Sequence, residues 1–146
     1  MQMRILVLVS AVALLASPAV VSLHNIHKPN VRRNLIRAFE LAGHCNASRT
    51  KQELFVEDVS HLAKCKNHCE NKFFCKVQEI LDKHQNVCEI TVQETLTRTL
   101  KMYNIDRNVN CTLTLQGNKE AAFYTKLPMF FESVIHYLQI KNFMGS

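Results

Sequence analysis

Glycine and proline are scarce in this chain, with three of each in 146 residues. So few turn formers argue against collagen-like, linker-rich and many-turned β architectures. Acidic side chains are the minority, 12 Asp and Glu against 18 Lys and Arg, giving a formal net charge of +6. Beyond the N-terminal region no apolar run approaches the length a bilayer needs. No Gly-rich phosphate loop, G-x-S-x-G elbow or H-E-x-x-H motif occurs. What is present is ordinary for a globular chain. Hydrophobic residues make up 47%, too many for a disordered chain, and the length favours one domain with a real core. Six Cys without a repeated C-x-x-C make a disulfide framework the default, provided the chain is secreted.

The N-terminus argues for secretion. Met1 to Arg4 carry one positive charge, and Ile5 to Ala16 form a 12-residue apolar run. That run is too short to span a bilayer, which takes roughly 20 residues, and suits a signal peptide. Cleavage is expected after Ser22, or alternatively after Ala19, so residues 1–22 are read as leader and 23–146 as the folded domain. Loss of Arg4 leaves 17 basic against 12 acidic residues, a net charge of +5. Two sequons, Asn46-Ala47-Ser48 and Asn110-Cys111-Thr112, make Asn46 and Asn110 candidate glycosylation sites. Both sit beside a Cys.

Four stretches have helical periodicity. The first runs from about Pro29 to Ala42, with Pro29 in its first turn and Gly43 as its stop. The second covers about Asn71 to His84 and the third about Thr91 to Tyr103. The fourth, about Thr125 to Asn142, is the cleanest: Leu127, Phe130/Phe131, Val134/Ile135 and Leu138 step along one face, with Thr125 as expected cap. The connections are long (Gly43 to Glu70), short (Gln85 to Ile90) and long (Asn104 to Tyr124). A long connection can cross a bundle, so the expectation is an all-α, up-up-down-down four-helix bundle. Each long loop holds a β-prone run, Leu54-Phe55-Val56 and Cys111 to Leu115, and the two are expected to pair as a short two-stranded ribbon.

From Glu53 the chain reads Glu-Leu-Phe-Val-Glu-Asp-Val, and later Phe74-Cys75-Lys76-Val77-Gln78-Glu79-Ile80-Leu81. This resembles the interleukin-4/interleukin-13 family, in which an E-L-x-V-x-D-[IV] loop strand precedes a helix bearing F-C-[KR]-A-x-x-[VI]-L. The resemblance extends from Pro29 to Phe143, is densest over about thirty residues, and is greatest to the merged interleukin-4/13 type of fishes. It implies a secreted cytokine of the immune response that bridges two class I cytokine receptor chains.

Six cysteines permit 15 pairings. The resemblance implies Cys45 with Cys88 and Cys75 with Cys111. Cys65 and Cys69 depart from the family pattern. They could bridge each other, pair with another chain or stay free, or join His61 and His68 as metal ligands.

Nothing in the sequence requires chemistry. The seven His are scattered, no Cys-His nucleophile is supported, and neither a cofactor nor a metal is called for. Arg32, Arg33 and Arg37 lie on the first helix, Arg98 and Lys101 on the third, and Arg107 just beyond it. Together they make a basic strip suited to an acidic receptor surface or to heparan sulfate. Nucleic acid fits poorly, because the basic residues are not interleaved with aromatics.

The resemblance assigns the alpha-chain contact to the first and third helices and the second chain to the first and fourth. Arg107, in Ile105-Asp106-Arg107-Asn108, matches the family's L-D-R-N arginine. As a receptor contact it should govern affinity at little cost in stability. Phe143 matches an aromatic near the end of the fourth helix. The expected partners are an interleukin-4 receptor alpha-like chain and a second chain of common gamma or interleukin-13 receptor alpha-1 type, met by a monomer without membrane insertion. The family's acidic contact on the first helix is missing, for this stretch reads Asn30-Val31-Arg32-Arg33-Asn34, which implies a receptor of altered polarity. The competing reading is a basic, membrane-active host-defence helical protein.

Overall fold

Helix periodicity accounts for most of what is buried. The computed structural model describes residues 18–65, 69–116 and 122–144, with side chains described from Asn30 to Phe143 within them. Met1 to Ala16, the charged and apolar parts of the expected leader, lie outside the described residues, as does Lys66 to His68. The elements in order are α1 (Pro18–Ala47), β1 (Phe55–Glu57), α2 (Ser60–Ala63), α3 (Glu70–Lys83), α4 (Ile90–Asp106), α5 (Cys111–Leu115), β2 (Tyr124–Lys126) and α6 (Leu127–Met144). The molecule is mostly helical with one small antiparallel sheet. Contacts divide it into two units, Met1–Asn30 and Val31–Ser146. The first is described only through its stretch of helix from Pro18, and the second holds the core.

That core takes one stripe from each long helix. Leu35, Ala38, Leu41 and Ala42 come from α1, Phe73, Phe74, Val77, Ile80 and Leu81 from α3, and Leu96, Leu100 and Tyr103 from α4. Leu127, Phe130, Phe131, Val134 and Leu138 from α6 complete it. Each buried Leu or Phe contributes about 1.5–3 kcal/mol through area removed from water. Rings close the middle: Phe73 stands 4.1 Å from Tyr137 and Phe74 4.7 Å from Tyr103, centroid to centroid. Cys45–Cys88, Cys65–Cys69 and Cys75–Cys111 are joined as disulfides.

The two strands come from the two long connections. Phe55 faces Lys126, Val56 faces Thr125 and Glu57 faces Tyr124. Val56 points into the core while Phe55 and Tyr124 stay exposed, as period-two alternation requires. Lys76 of α3 reaches Glu57 at 3.4 Å and Glu79 at 2.8 Å, fastening the ribbon to the helices. Burial works against its charge, yet the Glu79 and Glu57 carboxylates outweigh that and raise its pKa above the ordinary lysine value.

Several local expectations give way. Cys111 to Leu115 is helix, not strand, and Tyr124–Lys126 supplies the second strand instead. The cause is local capping plus a tether. Asn110 Oδ1 accepts from Leu113 N at 3.2 Å, Thr114 Oγ1 donates to Asn110 O at 2.8 Å, and Cys111 is bonded to Cys75 on α3. Thr125 therefore sits in β2 rather than capping α6. The first N–H of α6, at Leu127, donates to Leu54 O at 3.0 Å, so the residue before β1 caps the helix, with Pro128 in the first turn.

α1 passes through Pro29, where a helix of Pro29 to Ala42 was expected, and runs on to Ala47. A proline inside a helix removes one ladder bond and crowds the carbonyl four residues before it, and the division between the two units falls one residue beyond it. Gly43 does not stop the helix. Its Cβ position is open, and Ser48 closes the last turn with its N–H and hydroxyl both donating to His44 O at 3.0 Å. α4 begins one residue earlier than expected because Glu89 caps it, accepting from Thr91 N and Val92 N at 3.1 and 3.2 Å. Those two N–H groups hold the Glu89 carboxyl below the usual glutamate range.

Candidate functional site

The basic residues of α1 lie opposite its core stripe. Arg32, Arg33 and Arg37 are exposed, and Ile36 joins them at 43% exposure. Arg33, Ile36, Arg37 and Glu40 step i, i+3, i+4, i+7, so they form one outward face. α4 repeats the pattern with Arg98, Lys101, Met102 and Ile105, the last 54% exposed. Side-chain bonding joins the helices beside both faces: Asn34 Nδ2 donates to Asp106 Oδ2 at 3.2 Å. Arg37 lies one turn from Asn34, and Met102 one turn from Asp106. The result is an exposed surface that mixes cations with apolar side chains, the composition suited to burying a few anchors in a protein partner. Periodicity alone did not single out Ile36, Met102 and Ile105, although apolar residues off the core stripe were a readable signal.

Phe143 lies apart, 91% exposed near the end of α6. The preceding Asn142 donates through Nδ2 to Leu35 O at 3.2 Å, bringing this end of α6 against α1.

Arg107 is not a solvated loop residue. Its Nη2 donates to Asn71 Oδ1 at 2.6 Å and stands 3.6 Å from Glu70 Oε2. Its guanidinium lies 4.9 Å from the Tyr103 ring centroid, and its side chain is 20% exposed. Glu70 is the shared acceptor of this group, taking Tyr103 Oη at 3.2 Å and Lys141 Nζ at 3.2 Å as well. One carboxylate at the start of α3 thus ties down the ends of α4 and α6. Burial, and after it the Glu70 charge, pushes the Tyr137 phenol up to about 12. Burial also raises Tyr103, against the pull of Arg107, so both phenols stay neutral at physiological pH.

Arg107 is therefore held within the fold by Asn71, Glu70 and the Tyr103 ring, and its replacement is expected to cost stability as well as any receptor contact it makes. Arg107→Glu would face Glu70 with a second carboxylate and strip Asn71 of its donor. It should cost about 2 kcal/mol, lowering the melting midpoint by several degrees. An unchanged midpoint in a thermal melt would contradict this account. Glu70, Asn71 and Lys141 escaped the sequence reading because their partners are 33 to 71 residues away.

No family model, curated protein or solved structure matches this chain.

Cys65 and Cys69 are bridged to each other, and among the described residues no group of three His, Cys, Asp or Glu is placed to hold a metal ion. His68 lies outside the described residues. The two sequons differ: Asn46 is half-buried in the last turn of α1 with Oδ1 accepting from Arg49 Nη1 at 2.8 Å, whereas Asn110 is exposed. Among the described residues no helix is long and apolar enough to cross a membrane.

Proposed function

We propose that this chain is a secreted, interleukin-4/13-like cytokine that acts without chemistry, by holding two receptor chains together. The observation that carries the reading is the pattern of contacts between helix ends. Asn34 meets Asp106, while Cys45 is bonded to Cys88, so the two helices α1 and α4 run in opposite senses. Glu70 meets Lys141 and Phe73 meets Tyr137, which sets α3 against α6. Asn142 meets Leu35, and Glu70 meets Tyr103. These contacts support an up-up-down-down order, the arrangement in which two long crossovers leave consecutive helices parallel. Three disulfides fit an oxidising compartment and so support secretion.

The α1/α4 face, with Arg37, Arg98, Met102 and Ile105, is the surface for an interleukin-4 receptor alpha-like chain. The α1/α6 side near Phe143 takes the second chain, of common gamma or interleukin-13 receptor alpha-1 type. Heparan sulfate is a secondary partner of the same cations. Arg37 is exposed and Arg107 is not, so Arg37 is the cleaner probe. Arg37→Glu is expected to weaken alpha-chain ectodomain binding at least tenfold in surface plasmon resonance, about 1.4 kcal/mol, with an unchanged melting midpoint. Absence of saturable binding to any receptor ectodomain, together with dye release from anionic vesicles, would replace this reading with the membrane-active one.

A further inference from the structure

The end of α4 turns back on itself to build a small polar recess. Asn108 adopts the left-handed conformation, with φ of 60°, so the chain reverses after Arg107. Asn108 N then donates to Ile105 O and Val109 N to Asn104 O, each at 2.9 Å. This brings Asn110 to the rim of a pocket of about 410 Å³ that Gln78, Lys101, Asn104 and Asn108 also line. Within it Asn104 is 2% exposed. Its Nδ2 donates to Gln78 Oε1 at 2.9 Å, but its Oδ1 is buried without a hydrogen-bond partner among the described residues. A buried amide oxygen left in this way is costly, so it marks a place where a donor is due.

We infer that Asn110 is the glycosylated sequon and that the first sugar of its glycan seats in this recess, donating a hydroxyl or acetamido N–H to Asn104 Oδ1. The inference rests on the secretion proposed above, since only the secretory route supplies the co-reactant, a lipid-pyrophosphate-linked oligosaccharide. In the transfer, Asn110 Nδ2 forms a bond to C1 of the first N-acetylglucosamine as the C1–O bond to the pyrophosphate breaks. Nδ2 loses one proton and the lipid pyrophosphate leaves. Thr112 supplies the sequon hydroxyl.

The modification leaves the local fold intact. Asn110 caps α5 through Oδ1, which remains a carbonyl acceptor after Nδ2 is glycosylated. Asn46 suits the reaction less, being half-buried beside the fully buried Cys45 and engaged with Arg49.

The test expresses the full chain in animal cells blocked in glycan processing, as wild type, Asn46→Gln and Thr112→Ala. Thr112→Ala removes the sequon and keeps the Asn110 cap. The expected result is a secreted chain with one glycan, retained in Asn46→Gln and lost in Thr112→Ala. Trimming to a single N-acetylglucosamine should leave the melting midpoint unchanged, while Thr112→Ala melts about 3 °C lower. A secreted chain with no glycan on Asn110 would overturn the inference alone. So would a trimmed protein that melts with Thr112→Ala, because the first sugar would then have no seat. A chain kept inside the cell without glycan would overturn the secretion reading and this one together.

Discussion

Replacing Cys75 and Cys111 together by Ala is expected to cost about 4 kcal/mol of stability, and the same treatment of Cys65 and Cys69 about 2 kcal/mol. The difference follows from the chain each bridge closes, 36 residues in the first case and 4 in the second. Constraining a longer loop removes more conformational freedom from the unfolded chain. Cys75 is also 1% exposed, so its removal loosens packed surroundings, whereas Cys65 is on the surface. Cys45–Cys88, with a separation of 43, belongs with the costly class. Urea unfolding of the two double variants, read by circular dichroism, measures the gap. Equal losses would mean that the long bridges do not act by tethering the connections.

How much of this was readable beforehand depended on how far each residue's partner lay along the chain. The stripe Leu127, Phe130, Phe131, Val134, Leu138 is buried as its spacing demanded, because burial of a helix face is written in the helix itself. Val56 likewise entered the core from a run whose β-prone residues announced a strand. Cys111 to Leu115 alternates apolar and polar residues and still failed as a strand, because a cap three residues away and a bond to α3 decided its conformation. The internal ties of Arg107 were hidden for a related reason. Its sequence neighbourhood reads as an exposed loop, while Glu70 and Asn71, more than thirty residues upstream, draw it inward. Arg33, Arg37, Arg98 and Lys101 were readable as cations on helix faces. Their company of Ile36, Met102 and Ile105 emerged only once the core stripes had claimed the other apolar residues.

Gln93 gave no sequence signal and has the second largest expected effect. It is 4% exposed on α4 and makes four hydrogen bonds across the short connection from α3. Oε1 accepts from Val87 N at 3.0 Å and Cys88 N at 3.4 Å, while Nε2 donates to Leu81 O at 3.0 Å and His84 O at 2.7 Å. Leu81 O is one of the carbonyls that the end of α3 leaves without a helical partner, so Gln93 completes that helix as well as the turn. Gln93→Leu keeps the volume but strands two buried N–H groups and two carbonyls. It should cost about 3 kcal/mol, a fall of about 10 °C in the melting midpoint. Gln93→Glu adds a sharper test, because its carboxylate would still accept from Val87 and Cys88 but face the Leu81 and His84 carbonyls with a charge. The folded state then favours the protonated acid, so its carboxyl pKa lies above the unfolded value. The variant should be weakest at neutral pH and regain stability as pH falls through that raised pKa. A Gln93→Glu protein whose stability relative to wild type is flat between pH 4 and 8 would show that the amide is not the clamp of this turn.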